Sequence, residues 1–375
     1  MFSLTFLCPI EPGRVHRRMR LRSHFLMIRT IIFWCCLWGM GSDLAQAQIS
    51  MAGGGASVIN PQASRLAVVI NTADPLSIKI GEYYAQARGL GHDQIVRLSL
   101  PVKSSLSLAE FHAFKEKLNA ALSSKIQFLA LAWMTPYAVE CASITGALAQ
   151  DWDPALCSNT CAPSAASPYL DSASRSPFQE YGFRPSMLLA ARTFEQAKAL
   201  IDRGVASDHS QWLRGVPPGK AYYLKTTDRL RNVRSTIFPQ PGESKSPRFE
   251  VIVQQADILE NVSGIMIYQT GLERVAKLDT LGFLPGALAD HLTSAGGALD
   301  KDYQMSSMAW LEAGATASYG AVSEPCNHQQ KFPHPIALLR HYLQGETAIE
   351  AYWKSVAWPM QGIFIGEPLA APYLR

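Results

Sequence analysis

Three side chains in the C-terminal half have the types that hydrolytic chemistry needs: Glu324, His291 and Cys326. Glu324 follows the small-residue run Gly314-Ala315-Thr316-Ala317-Ser318-Tyr319-Gly320-Ala321-Val322-Ser323 and precedes Pro325, which places a carboxylate in an abrupt loop at a strand end. An acid and a base in opposed environments can divide proton transfer, so Glu324 and His291 are candidate acid and base. Cys326, unless it is bridged, is a candidate nucleophile, because the thiolate is the reactive form of the side chain. Each has a structural alternative. Glu324 could cap a neighbouring helix or pair with an Arg such as Arg192. His291 sits beside Leu288 and Leu292, as a satisfied helix histidine would. His328 and His334 flank a Gln-Gln-Lys stretch and are expected to titrate in solvent.

In doubly wound sheets, ligands bind beyond the carboxyl ends of the strands. Asn71, Asp74, Arg192 and Glu367 stand at such ends and are the ligand-binding candidates. Asp74 also reads as a helix N-cap, and Asn71 as a turn residue bonding its own backbone. The stretch Gly362-Ile363-Phe364-Ile365-Gly366-Glu367-Pro368 repeats the strand-then-Glu-Pro theme, so acidic loops are expected along one rim of the sheet. No phosphate loop, dinucleotide fingerprint, G-x-S-x-G elbow or H-E-x-x-H occurs. No cofactor and no metal are expected. The one alternative is a zinc set of Cys157, Cys161, Cys326 and His328.

Compartment is read from the N-terminus. Arg14, Arg17, Arg18, Arg20, Arg22 and Arg29 precede an apolar run over 30–40, and Ala45-Gln46-Ala47 offers a cleavage pattern. The run is too short to span a bilayer. Residues 1–47 are therefore expected to be a signal peptide, with Met1, Met19 or Met27 as the start. Residues 48–64 are expected to be a flexible mature N-terminus. The chain has 34 basic and 30 acidic residues, and the signal takes six Arg with Glu11 and Asp43, which leaves 28 of each sign. A neutral mature chain has no electrostatic footprint for nucleic acid, and none is expected as a partner. No membrane span is expected after cleavage. Of seven Cys, three leave with the signal. Cys141, Cys157, Cys161 and Cys326 suggest two disulfides in an exported chain. Of the three possible pairings, Cys157–Cys161 with Cys141–Cys326 is preferred.

The elements that must position these residues alternate. Arg65–Asn71 reads as a buried strand, followed by a helix capped at Asp74-Pro75 and stopped at Gly89. Ile95–Leu98 is a strand, Ser107-Leu108-Ala109-Glu110 a capping box, and Lys125–Trp133 a third strand. Residues 134–185 break the rhythm with Pro, Ser, Asp and three Cys, and read as a disulfide-braced insertion or a substrate-contacting flap. Alternation resumes at Ser186–Arg192, with Thr193 as a cap. It continues through Ala221–Lys225, a helix over 228–234, a polar loop over 239–247, and strands at Phe249–Val253 and Gly264–Tyr268. A short Gly-Ala-rich helix carrying Asp290 and His291 and a helix over 305–312 precede the small-residue strand. Two more helices and a last strand follow. Such alternation predicts a doubly wound, mostly parallel α/β sheet in one domain over 65–375. No internal repeat is visible.

The stretches Val68-Val69-Ile70-Asn71-Thr72-Ala73-Asp74-Pro75-Leu76-Ser77, Leu284-Pro285-Gly286-Ala287-Leu288-Ala289-Asp290-His291-Leu292-Thr293-Ser294, the small-residue strand with Glu324-Pro325, and Gly366-Glu367-Pro368-Leu369 together resemble a family of uncharacterised exported bacterial proteins. The C-terminal half also looks distantly similar to gingipain-type cysteine peptidases, which implies a caspase-like three-layer sandwich. Those enzymes carry a His after one strand and a nucleophilic Cys after the next. The corresponding stretches here are Tyr268-Gln269-Thr270-Gly271, without His, and Leu284 to Ser294, without Cys. Gly366-Glu367-Pro368 stands where the pattern has Gly-Asp-Pro, one methylene longer. The resemblance therefore implies an exported (periplasmic or secreted) non-peptidase protein that binds a peptide, glycan or envelope protein. The alternatives are a cell-envelope hydrolase built on Glu324, His291 and Cys326, or a structural envelope component.

Overall fold

Two-sided burial, not intrinsic propensity, decides the centre of this chain. In the computed structural model, which describes residues 60–375, β1 (Leu66–Asn71) is buried along its whole length. Leu66, Val68 and Ile70 enter one core layer and Ala67 and Val69 the other, as a parallel strand between helical layers requires. The remaining strands are β2 (Ile95–Leu98), β3 (Ser105–Leu106), β4 (Phe128–Leu131), β5 (Ala138–Val139), β6 (Ala142–Ser143), β7 (Ser186–Leu188), β8 (Gly219–Lys225), β9 (Gly242–Lys245), β10 (Arg248–Gln255), β11 (Ser263–Thr270), β12 (Gly282–His291), β13 (Ala317–Ala321) and β14 (Gly362–Gly366). The helices are α1 (Pro75–Arg88), α2 (Leu108–Ala121), α3 (Ile144–Gln150), α4 (Pro154–Ser158), α5 (Pro177–Tyr181), α6 (Phe194–Ser207), α7 (Met308–Glu312), α8 (Pro335–Leu343) and α9 (Ala348–Trp353). One face is covered by α1, α6, α8 and α9, the other by α2, α3 and α7. The expected α/β class, a large and mostly parallel sheet between helical layers, is present.

Eleven strands form the main sheet in the order β2-β1-β4-β7-β14-β13-β12-β11-β8-β10-β9. Every neighbouring pair is parallel except β13–β14 and β9–β10. Strands from β2 to β14 thus run one way, and those from β13 to β10 the other. Within each group the second strand in sequence lies outside the first, followed by the third and fourth. A chain without visible sequence repeat therefore folds as two halves of equivalent topology. This corrects the expected acidic rim. Because β14 lies antiparallel to β13, with Ala317 opposite Gly366 and Ala321 opposite Gly362, Glu324 and Glu367 leave the sheet at opposite edges.

Local signals hold where the chain itself satisfies them. Asp74 Oδ1 accepts from Leu76 N at 2.9 Å, Gly89 closes α1 at φ +63°, Ser107 and Glu110 form the capping box, and Thr193 caps α6. Three readings change. The segment 287–291 is strand rather than helix: Ala287 to His291 are all buried between β11 and β13, and burial on both sides overrides the helix propensity of Ala and Leu. The polar loop over 239–247 contains β9, which pairs with β10 as an edge hairpin. The helix expected over 228–234 is a 3-10 turn, Asn232–Ile237. At the N-terminus, residues 60–64 belong to the fold rather than to a flexible lead. Asn60 caps a 3-10 turn, Pro61–Arg65, and its Nδ2 donates to Leu369 O at 2.8 Å. The expected signal, 1–47, and residues 48–59 lie outside the described residues. Among the described residues no helix is long and apolar enough to cross a membrane.

The insertion at 134–185 is anchored to the end of β14. Ser143 Oγ and Thr145 Oγ1 donate to Gly362 O at 2.6 and 2.9 Å. Two disulfides form, as expected in number, but the preferred pairing is corrected: the bonds are Cys141–Cys157 and Cys161–Cys326. Packing explains the choice. Leu156 is buried against Ala142 and Met360, which brings the neighbouring Cys157 to Cys141 and leaves Cys161, beyond the end of α4, for Cys326.

Candidate ligand-binding site

The rim beyond β11 and β12 is where the resemblance would place a catalytic pair. Its histidine is closed to chemistry. His291 is buried at the end of β12; its Nδ1 accepts from Trp310 Nε1 at 2.9 Å, and its Nε2 faces Met305 O at 3.1 Å. An indole N–H only donates, so Nδ1 is the bare nitrogen and Nε2 carries the proton that Met305 O accepts. Both ring atoms are engaged, and burial pushes the pKa down to about 3. Next to it, Asp290 is held by Arg234 Nη1 at 2.6 Å and Gln269 Nε2 at 2.9 Å. Arg234 Nη2 also donates to Thr270 O at 2.9 Å.

The chain leaving β8 seals this rim. Thr226 Oγ1 donates to Gly271 O at 2.7 Å, and Thr226 N to Asn232 Oδ1 at 3.0 Å. Asp228 Oδ1 accepts from Leu230 N and Arg231 N, and Arg231 Nε donates to Thr293 Oγ1 at 3.1 Å. Gly271 is the point of closest approach: a Cβ there would overlap Arg231 O.

The remaining sequence candidates are distributed, not assembled. Glu324 is exposed; its Oε1 accepts from Cys326 N at 2.8 Å, bracing the turn in which Cys326 and Asn327 take φ +54° and +57°. It does not pair with Arg192, whose Nε donates to Glu312 Oε1 at 3.1 Å and Nη2 to Leu299 O at 3.2 Å. Cys326 is bridged, which removes the thiol nucleophile. With all four sulfurs in disulfides, the Cys157, Cys161, Cys326 and His328 zinc set does not assemble. Among the described residues no group of three or more His, Cys, Asp or Glu is placed to hold a metal. Asn71 is buried and ties β1 to the chain after β2, accepting from Leu100 N at 2.9 Å and donating to Leu100 O at 3.1 Å. Glu367 is fully buried, with its two oxygens 3.0 and 2.6 Å from Arg88 Nε and Nη2, while Arg88 Nη1 meets Asp208 Oδ2 at 2.5 Å.

An open groove lies beside the sealed rim. It has a volume of about 320 Å³ and runs between the chain after β8 (Ile237), the chain after β13 (Gln329, Phe332), the start of α8 (Ile336, Ala337) and the insertion (Leu170, Asp171). Its floor belongs to the core layer that α8 and α9 cover. Phe332 is buried as its floor, edge-on to Tyr319. Leu170 and Ile336 remain 39% and 45% exposed. At the lip, Arg340 pairs with Asp171, whose Oδ1 also lies 2.9 Å from His341 Nε2. His334 caps α8 with its ring, accepting from Ala337 N, and burial lowers its pKa. The groove has an apolar floor and the Arg340–Asp171 ion pair; Ser355, which also lines it next to His334, donates its hydroxyl to Tyr352 O at 2.7 Å. Its main residues, Arg340, Asp171, Ile336 and Phe332, were not singled out from the sequence. Only the reading of 134–185 as a contacting flap pointed toward it.

No protein-family model and no curated protein matches the chain. Its fold is similar to that of solved peptidases. The Arg-specific cysteine proteinase gingipain R superposes with a TM-score of 0.40 at 11% identity over 83% of this chain and 78% of that one. A structure described as a protease gives 0.46 at 11% over the same shares. The complex of the pro- and mature domains of RgpB from Porphyromonas gingivalis gives 0.37 at 12% over 82% of this chain and 80% of that one. Likeness at this level carries no residue role across.

Proposed function

We propose that this chain is an exported, non-peptidase binding protein that takes a peptide segment of its partner in the groove between α8 and the insertion. One observation carries the reading: the three side chains that the sequence offers for hydrolysis are each committed elsewhere. His291 uses both ring nitrogens, Cys326 is in a disulfide, and Glu324 braces its own turn. The rim that would hold a catalytic pair is covered by the segment 226–234. The neighbouring groove is open, and apolar side chains on a buried Phe332 floor alternate with polar ones, six of each, a mixture that suits a peptide segment with both kinds of side chain. Two disulfides support export, since they persist in oxidising compartments.

The test is incubation of the purified protein with a mixed fluorogenic peptide library, with binding read in parallel on immobilised protein. The expected outcome is saturable binding with no turnover above the blank. Hydrolysis that a Glu324→Ala change abolishes would overturn the proposal.

A further inference from the structure

We infer that the groove recognises an extended peptide segment carrying an apolar side chain and, two residues away, an acidic one, and that Arg340 reads the acid. This deepens the binding reading above and rests on it. Ile336 and Arg340 are four residues apart on α8, so they share one face of the helix. Both line the groove, 45% and 46% exposed. Four residues of helix rise about 6 Å. Side chains two apart on an extended strand point the same way at roughly 6.5 Å. An apolar residue seated against Ile336 and Phe332 therefore places the second side chain at the guanidinium.

Arg340 is available to a ligand although it is paired. Asp171 has a second, buried partner on the same oxygen, His341 Nε2, and its backbone N donates to Lys354 O at 2.9 Å. Asp171 therefore stays in place whether or not Arg340 leaves it. A guanidinium has five donors in a planar fork and can hold two carboxylates at once. Arg88 does this inside the same protein, with Glu367 on Nε and Nη2 and Asp208 on Nη1. A ligand carboxylate can thus join Asp171 on Arg340 without displacing it.

The experiment is selection of phage-displayed random nonapeptides on the folded protein, followed by fluorescence-polarisation titration of the enriched peptides. Wild type is compared with Arg340→Gln and Ile336→Ser, each checked for an unchanged melting curve. The expected result is enrichment of Asp or Glu two residues from Leu, Ile or Phe. Replacing that acid by its amide should weaken binding roughly 10- to 100-fold, the effect of losing a hydrogen-bonded charge. Arg340→Gln should bind acid and amide peptides alike, and Ile336→Ser should weaken both. Enriched peptides without acids, or acid preference that survives Arg340→Gln, would overturn this inference and leave the peptide-binding reading standing. No enrichment on wild type would overturn both.

Discussion

His291 offers the sharpest separation between a catalytic and a structural histidine. A general base near neutral pH must exchange its proton in that range. His291 instead is buried neutral, its pKa pushed down to about 3 from the ordinary 6.5, with desolvation as the main cause. In the unfolded chain it titrates near 6.5. Between pH 6.5 and 3 the unfolded state therefore binds one proton more than the native state, and native stability falls as pH falls. The contribution is fully present above pH 6.5 and is lost on acidification through the native value. A gap of about 3.5 units at ~1.36 kcal/mol each amounts to about 5 kcal/mol, of which about 2 kcal/mol is lost by pH 5.

The assay is urea unfolding at pH 7, 6 and 5 for wild type and His291→Gln. The substitution leaves Trp310 Nε1 or Met305 O poorly paired, so it costs ~1–3 kcal/mol at every pH. That baseline cancels when slopes are compared. The expected result is that wild type loses about 1.4 kcal/mol more per pH unit than the variant below pH 6.5. Imidazole carbon shifts of the folded protein should show one His that stays neutral down to pH 5. Equal slopes, or a His291 resonance titrating between pH 6 and 7, would refute the buried, doubly bonded tautomer and restore His291 as a base.

Two further outcomes are expected from the buried charges and the disulfides. Glu367→Ala strands Arg88 with Asp208 alone, and removing one member of a buried ion cluster costs ~3–5 kcal/mol, read as a large drop in urea midpoint with unchanged far-ultraviolet dichroism. Alkylation of the unfolded, non-reduced protein should modify no Cys among the four beyond residue 60, and a non-reducing digest should link 141 with 157 and 161 with 326; Cys326→Ser should then expose one thiol, at Cys161, and cost ~2–4 kcal/mol.

Elements whose signals are local were legible in the sequence. Asp74-Pro75, Gly89, the Ser107–Glu110 box and Thr193 satisfy or punctuate their own helices, so the residue pattern alone located them. What the sequence could not express was pairing. The buried strand ending at His291 is written in Gly, Ala and Leu, which fit a helix equally well until β11 and β13 flank it. The direction of β14 relative to β13 depends on the long connection through α8 and α9, and it alone put Glu324 and Glu367 on opposite rims. The cysteine partners depended on which way Leu156 turned. The groove was hidden for the same reason: Leu170, Ile237 and the Phe332–Ile336 stretch come from three segments far apart in the chain.

That geometry explains why charged side chains at the strand ends are drawn into the core. Gly366 lies at φ +130°, where a Cβ would overlap Ala317 and Thr316 O, and Gly204 leaves room for the Glu367 carboxylate, which a Cβ would meet at 2.6 Å. The extra methylene of Glu over Asp gives that carboxylate the reach for a two-point grip on Arg88. The acid that ends β14 is thereby turned inward and becomes part of the joint between α1, α6 and the C-terminal strand. The acid that follows β13, Glu324, faces solvent and braces its own turn. Gly271 admits the 226–234 segment over β11, and Arg234 reaches through it to hold Asp290 and Thr270 O. The Glu367–Arg88 and Asp290–Arg234 charges at the strand ends thus tie segments of the fold together. In the groove, by contrast, the Arg340–Asp171 pair stays half exposed, at 46% and 50%.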